Sequence, residues 1–120
     1  MHYTLKRITD EHPEWLDALK KRCYTVNGCC HIVHKDLGPF LNEHMYQDAL
    51  KILFDEQRIE YQKEYYFEIT YHGQRIAHKH YVDFLVNNEI ILECKAVEKL
   101  SAEHRQQVWN YMRLTGKSIG

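Results

Sequence analysis

Residues 81–95 read YVDFLVNNEIILECK, and this stretch decides how the rest of the chain is interpreted. Two apolar, β-branched runs flank an Asn-Asn pair, and asparagine tolerates the positive φ angles of tight turns, so the pattern predicts a β-hairpin. The first strand carries Asp83, and the second carries Glu93 and Lys95. Because side chains alternate along a strand, Glu93 and Lys95 face the same side. Charges within such apolar strands are costly to bury unless a partner pairs with them.

The length of the hairpin loop decides whether the charged side chains meet. A two-residue loop, Asn87-Asn88, would pair Asp83 with Leu92 and turn Glu93 to the other face of the sheet. A three-residue loop that ends at Glu89 instead puts Asp83 directly opposite Glu93. We predict the three-residue loop or a bulge. Directly opposed carboxylates repel each other, which favours a cation between them.

Asp83, Glu93 and Lys95 are residue types that a metal-dependent hydrolase uses. Carboxylates hold Mg²⁺ at about 2.1 Å and leave positions for water and for a substrate oxygen. We interpret Asp83 and Glu93 as ligands of Mg²⁺ or Mn²⁺, with the backbone carbonyl of Cys94 as a third. Lys95 would orient or help to deprotonate the attacking water and offset charge in the transition state. Spacing alone leaves open a cross-strand salt bridge that needs no metal.

Length and charge limit the class of protein. The 120 residues suffice for one domain with a single core, and the formal net charge of −1 indicates no broad basic surface, although a local basic groove is compatible with it. No apolar run approaches the ~20 residues of a membrane span. Residues 1–7 lack the apolar core of a signal peptide, so we expect a cytoplasmic protein with no membrane partner. The four cysteines form no C-x-x-C pair, which leaves no zinc or redox motif.

The apolar periodicity predicts an α/β (α+β) fold with the element order α-α-α-β-β-β-α. We expect residues 1–23 to form an N-terminal arm with an extra helix, and residues 24–120 to form the main domain. The predicted helices cover about residues 11–22, 24–35, 39–57 and 102–114. Ser101 is the predicted cap of the last helix.

A three-stranded antiparallel meander is predicted between the third and fourth helices. Its strands cover about residues 59–71, 76–86 and 90–96, and the first strand is expected to present one aromatic face. The residues after Gly116 resemble the start of a fourth strand that is cut short. An exposed edge of this kind invites pairing, so we expect a homodimer through the sheet edge.

Three polar residues on the predicted helices are further candidates for the site. Glu43 interrupts the apolar stripe of its helix between Leu41 and Met45. A side chain that snorkels to solvent from the edge of the stripe explains Glu43 as well as a role in a site does. Gln107 and Tyr111 are four residues apart and share a face of the last helix, although such polar pairs are common.

Asp83 followed by Glu93-Cys94-Lys95 resembles the D…ExK signature of the PD-(D/E)XK nuclease superfamily, whose restriction-endonuclease-like core has the order α-β-β-β-α. Over residues 24–120 the chain also resembles the GxxExxY family of small proteins within that superfamily. The blocks that carry this similarity are VHKDLGP at 33–39, Glu43 with Tyr46, DFLV at 83–86, ECKAV at 93–97, and QVWNY at 107–111 followed by Thr115-Gly116. One departure is Phe40, which stands where that family has its name-giving glycine.

The resemblance implies hydrolysis of phosphodiester bonds in nucleic acid, DNA rather than RNA, with Mg²⁺ or Mn²⁺ as the cofactor. It implies catalytic and metal-binding roles for Glu43, Asp83, Glu93 and Lys95. Gln107 and Tyr111 match a Q-x-x-x-Y element that supports the site or contacts the nucleic acid. The alternative is a catalytically inactive protein of nuclease fold that binds nucleic acid or a protein partner. The near-neutral charge and the short final strand favour that alternative.

Overall fold

The computed structural model describes residues 13–120, which form three helices and five strands. The helices are α1 (Pro13–Leu37), α2 (Glu43–Glu56) and α3 (Ala102–Thr115). The strands are β1 (Tyr61–Phe67), β2 (Thr70–Tyr71), β3 (Gln74–Arg75), β4 (His80–Val86) and β5 (Ile90–Leu92). Strands β1, β4 and β5 form an antiparallel sheet in that order, and β2 and β3 form a small separate hairpin. The predicted fold class, mixed helix and sheet around a three-stranded antiparallel sheet, is confirmed. Within residues 13–120, no helix combines the length and the apolarity needed to cross a membrane.

The first two predicted helices are one helix, so the predicted element order is wrong at this point. The buried residues of α1 recur every three or four positions and form a single apolar stripe, made of Leu19, Cys23, Val26, Cys29 and Val33. A stripe that keeps helical spacing through residue 23 gives no reason for a helix to end there. The predicted boundary between residues 23 and 24 therefore lies inside α1, and residues 1–12 of the predicted arm lie outside the described residues.

Helix α2 begins at Glu43, later than predicted. Asn42 caps the helix, because its Oδ1 accepts a hydrogen bond from Met45 N at 3.0 Å. The loop ahead of the cap contains Gly38 and Phe40 with φ angles of 72° and 73°, which a right-handed helix excludes. Glu43 therefore lies in the first turn of α2, where the helix dipole favours a negative charge, and not inside an apolar stripe.

Helices cover both faces of the sheet. The even-numbered residues of β4 and β5 from 84 to 92 pack with α1 and α2. Leu85 and Ile91 point the other way and pack with Met112 of α3. The alternation expected of a strand is preserved here, and it separates the core into one cluster on each side of the sheet.

Strand β1 does not present a single aromatic face, so that prediction is wrong. Tyr61 packs with the α1 and α2 cluster, whereas Tyr65 and Phe67 pack with the α3 cluster. The change occurs at Glu64, whose φ angle is 55°. Glu64 would pair with Asp83 in the register that the neighbouring residues follow, and this pair is missing from the ladder. The irregularity therefore lies directly beside Asp83.

The hairpin of β4 and β5 has the predicted three-residue loop. The ladder pairs Val86 with Ile90, and the backbone N–H of Glu89 donates to Val86 O at 3.1 Å. Asn87 and Asn88 have φ angles of 52° and 56°, the left-handed values that asparagine tolerates. The register prediction is confirmed.

Two side chains from other elements fix this loop. Arg22 of α1 forms a two-pronged ion pair with Glu89, in which Arg22 Nη2 donates to Glu89 Oε2 at 3.0 Å. From the far end of the chain, Lys117 Nζ donates to the backbone O and the Oδ1 of Asn88 at 3.0 and 3.3 Å. Because the loop length sets the register, these contacts stabilise the strand pairing on which the site depends.

Ile119 is buried beside β5, the outer strand of the sheet. It forms a single parallel bridge with Ile90, and Ile91 N donates to Ile119 O at 3.0 Å. This bridge lies in the part of the sequence where a short fourth strand was predicted. Pairing of two copies of the chain through the sheet edge stays a prediction.

Replacing Phe40 with glycine should stabilise the fold. A side chain with a Cβ is strained at a φ of 73°, and Phe40 is 90% exposed, so removing its ring loses little packing. Relief of the strain, less the greater backbone entropy of glycine in the unfolded chain, should raise the free energy of unfolding by about 1 kcal/mol. Urea denaturation of Phe40→Gly measures the gain. Phe40→Ala is the control, because it removes the ring but keeps the Cβ, and an equal gain in that variant would contradict the strain argument.

Candidate active site

The side-chain carboxylates of Asp83 and Glu93 each accept a hydrogen bond from a backbone N–H on the opposite side of the hairpin. Glu93 Oε1 accepts a hydrogen bond from Asp83 N at 2.9 Å, and Asp83 Oδ2 accepts one from Cys94 N at 2.8 Å. The regular ladder of β4 and β5 ends one pair earlier, at Phe84 and Leu92. The two carboxylates therefore replace backbone carbonyls as acceptors where the ladder stops. Asp83 and Glu93 face each other, as the three-residue loop requires.

Lys95 lies beside this carboxylate pair. Its Nζ is 4.0 Å from Glu93 Oε2, and the side chains of Lys95 and Glu93 are only 19% and 7% exposed. The distance is too long for a hydrogen bond, so the lysine offsets the charge of the glutamate through space. Each acid of this pair keeps one carboxylate oxygen that accepts no hydrogen bond from the described residues, namely Oδ1 of Asp83 and Oε2 of Glu93.

Burial and the nearby charge of Asp83 raise the pKa of Glu93 to about 7. Burial is the larger cause, while the hydrogen bond from Asp83 N and the charge of Lys95 act in the opposite direction. Near neutral pH the pair therefore favours either a proton on Glu93 or a cation close by. A pKa perturbed by burial and by a specific neighbour is typical of functional sites.

Glu43 reaches the same region from the start of α2. Its Oε1 accepts a hydrogen bond from Ala96 N at 3.2 Å. One turn later, Tyr46 fixes the loop ahead of the helix, since its hydroxyl donates to Gly38 O at 2.6 Å and accepts from Leu41 N at 3.2 Å. Tyr46 was noted in the sequence as part of the block that it forms with Glu43. Its polar role was missed, because the loop conformation that it bonds carries no sequence signal.

Gln107 and Tyr111 form the predicted pair on α3. Gln107 Nε2 donates to the Tyr111 hydroxyl at 3.2 Å, which confirms that they share a face. Burial is the main cause that raises the pKa of the Tyr111 phenol, followed by the charge of Glu93, with a smaller contribution from Asp83. The ring of Phe67 packs against Tyr111 with centroids 5.6 Å apart. Tyr111 thus packs on the α3 side of the sheet, against the cluster that contains Val82, the neighbour of Asp83.

The donor set fits a hard divalent cation. Two carboxylates and the backbone carbonyl of Cys94 supply oxygen only, and Mg²⁺ keeps several waters, so it needs few protein ligands. The raised pKa of Glu93 supports the fit, because a cation would relieve the repulsion between the acids. No group of three or more His, Cys, Asp or Glu side chains within residues 13–120 is arranged to hold a metal. A direct ligand role for Glu43 therefore stays a prediction.

A groove of about 550 Å³ opens beside Glu93 and Lys95. Its walls come from the end of α1, from the loop before α2 and from the segment that follows Lys95. The sequence does not predict this groove, because its walls are distant in sequence and no local pattern joins them.

Comparison with known families identifies the superfamily. Residues 20–120 match a family model described as the PD-(D/E)XK nuclease superfamily. The chain belongs to this superfamily. The match begins within α1 and includes the hairpin, α2 and α3. No curated protein and no solved structure matches the chain. Membership in the PD-(D/E)XK superfamily supports a nuclease-type domain and suggests binding of nucleic acid, and nucleases of this superfamily generally depend on a divalent metal.

The metal-free fold should lose stability as Glu93 ionises. A carboxyl group whose pKa is raised in the folded state binds its proton more tightly there, so stability is highest at low pH and falls between about pH 4.5 and 7. The shift corresponds to a few kcal/mol, on the order of 3. We expect Glu93→Gln to match the parent near pH 5 and to exceed it above pH 7, measured by urea denaturation in the presence of a chelator.

The exposed Glu56→Gln variant serves as the control for this pH series. Its stability relative to the parent should change far less across the same range. A difference in the free energy of unfolding between the parent and Glu93→Gln that stays constant with pH would show that ionisation of Glu93 does not destabilise the fold.

Proposed function

We propose that this PD-(D/E)XK protein is a Mg²⁺- or Mn²⁺-dependent nuclease that hydrolyses phosphodiester bonds of DNA. The observation that carries the proposal is the exchange of backbone hydrogen bonds between Asp83 and Glu93 next to Lys95. These hydrogen bonds hold the two carboxylates next to the ammonium group of Lys95. One oxygen of each carboxylate is then left for a cation.

Each side chain has a defined part in this proposal. A divalent metal, when bound, polarises a phosphoryl oxygen and lowers the pKa of water. Asp83 and Glu93 hold it, and Lys95 binds a phosphate oxygen and offsets the negative charge that develops there. The Tyr111 hydroxyl, held by Gln107, contacts the phosphate or the attacking water from the α3 side. Glu43, which is bonded to Ala96 N, fixes the segment after β5 that carries Lys95.

Loss of either Asp83 or Lys95 should abolish most of the nuclease activity. We expect the parent to cleave short DNA strands with Mn²⁺ or Mg²⁺, and Asp83→Asn and Lys95→Ala to lower the rate by at least about 100-fold. Asp83→Asn weakens the hold on the metal, and Lys95→Ala removes a positive charge beside the reacting phosphate. Matched RNA strands test the preference for DNA. The rate of product formation on a denaturing gel is the measurement.

Glu103→Gln is the control, since it removes an exposed acid from the first turn of α3. It should cleave at the parental rate. Equal cleavage by all variants points to a contaminating nuclease and contradicts the proposal. A parent that binds DNA without cleaving it supports the alternative, a catalytically inactive binding module.

Metal binding should release protons from Glu93. Because the pKa of Glu93 is about 7, a metal that needs its carboxylate should displace about half a proton at pH 7. Titration calorimetry of the parent with Mn²⁺ in two buffers of different ionisation enthalpy measures this release. Glu93→Ala should lose both the binding and the proton release. Retained affinity in Glu93→Ala rules out the carboxylate as a ligand, and Glu43→Ala shows whether Glu43 is one.

A further inference from the structure

The groove beside Glu93 and Lys95 is continuous with the proposed active site, because both residues line it. Its volume of about 550 Å³ lies within the range of small-molecule sites. Pro39 and Val97 are among its apolar walls, and His34 is one of the polar side chains around it. The groove therefore combines apolar walls with a cationic residue, Lys95, which lies beside the acids Glu93 and Glu98.

Phe40 lies at this groove with an exposed ring and a strained backbone. It lines the groove, yet 90% of its surface is exposed, and its φ angle of 73° is one that few residues other than glycine adopt. Neither burial nor favourable backbone geometry accounts for an aromatic ring here. Residues held in such strained conformations concentrate at ligand-binding sites, where the strain is maintained by the surrounding structure.

Hydrogen bonds from neighbouring elements maintain the strained conformation of Phe40. Tyr46 bonds Gly38 O and Leu41 N, on either side of Phe40, so the loop that presents the ring is tied to α2. Glu43, in the first turn of that helix, bonds Ala96 N, immediately after Lys95. The ring and the lysine are therefore linked through a short chain of hydrogen bonds and do not depend on a free loop for their relative position.

We propose that this groove binds a nucleobase of the substrate strand, stacked on Phe40, while the adjoining phosphate lies at Lys95. The assignment rests on the proposed nuclease function and makes its substrate more specific. A base is flat and apolar on its faces, which suits an aromatic ring and an apolar groove, and its phosphate carries the charge that Lys95 attracts. A base stacked inside a duplex is not free to enter, so the preferred substrate is single-stranded or frayed DNA.

Binding of a fluorescein-labelled oligothymidine, followed by anisotropy with Ca²⁺ in place of the catalytic metal, tests the groove. Phe40→Leu, which keeps an apolar side chain but removes the ring, should weaken binding by about tenfold, and Phe40→Trp should preserve it. Tyr71→Leu is the matched control, because Tyr71 is 70% exposed on the β2–β3 hairpin and should contribute nothing. A blunt duplex of the same length should bind more weakly than the single strand.

An abasic deoxyribose-phosphate oligomer separates stacking from other effects of the substitution. The parent and Phe40→Leu should bind this oligomer equally, because no base remains to stack. A tenfold loss on both oligomers would mean that Phe40 acts on the backbone or on the loop, and this would overturn the assignment.

The two proposals fail separately. Cleavage that requires Asp83, together with oligothymidine binding that Phe40→Leu leaves unchanged, overturns the base site and leaves the nuclease proposal standing. Binding that depends on Phe40 and on the base, without cleavage by the parent, supports the base site as a binding site and overturns the nuclease proposal. Absence of oligothymidine binding by the parent overturns the base site as well.

Discussion

The three-residue loop of the β4–β5 hairpin is the constraint on which the candidate site depends. A loop one residue shorter would pair Asp83 with Leu92 and turn Glu93 to the opposite face of the sheet. The loop is therefore held from outside the hairpin, as Arg22 of α1 pairs with Glu89, its third residue. An ion pair that is partly exposed contributes little to stability by itself, and its importance here lies in the register that it favours.

This register creates an electrostatic cost within the fold. It brings two acids together in a buried place, and the pKa of Glu93 rises to about 7 as a result. Each acid recovers part of the cost by accepting a backbone N–H, and Lys95 at 4.0 Å offsets a further part. A sequence selected for stability alone would place apolar residues at these positions, so the retained repulsion is an argument for function.

The elements with strong local signals were predicted well. The Asn-Asn pair predicted the hairpin, and the requirement that Asp83 face Glu93 predicted its three-residue loop. Ser101 and Gly116 bracket α3 almost as expected. The errors fall where tertiary contacts override local patterns. The start of α2 depends on a loop that Tyr46 bonds, and β1 changes the face that it buries at Glu64, which no periodicity announces. The residues of the candidate site were also chosen from the sequence, and their roles stay predictions. The groove could not be predicted, because its walls meet only in the folded chain.

The loop before α2 places the strained backbone of Phe40 at the proposed base site. Phe40 keeps a backbone angle that glycine would adopt at lower cost, so its aromatic ring must be accounted for by something other than stability. The hydrogen bonds of Tyr46 and Glu43 link that ring to the segment after β5 that carries Lys95. A ligand that contacts both ends is then oriented before any reaction, because the two contacts are fixed relative to each other. In the proposed substrate complex, the position of the ring favours an unpaired base over a paired one at the phosphate site.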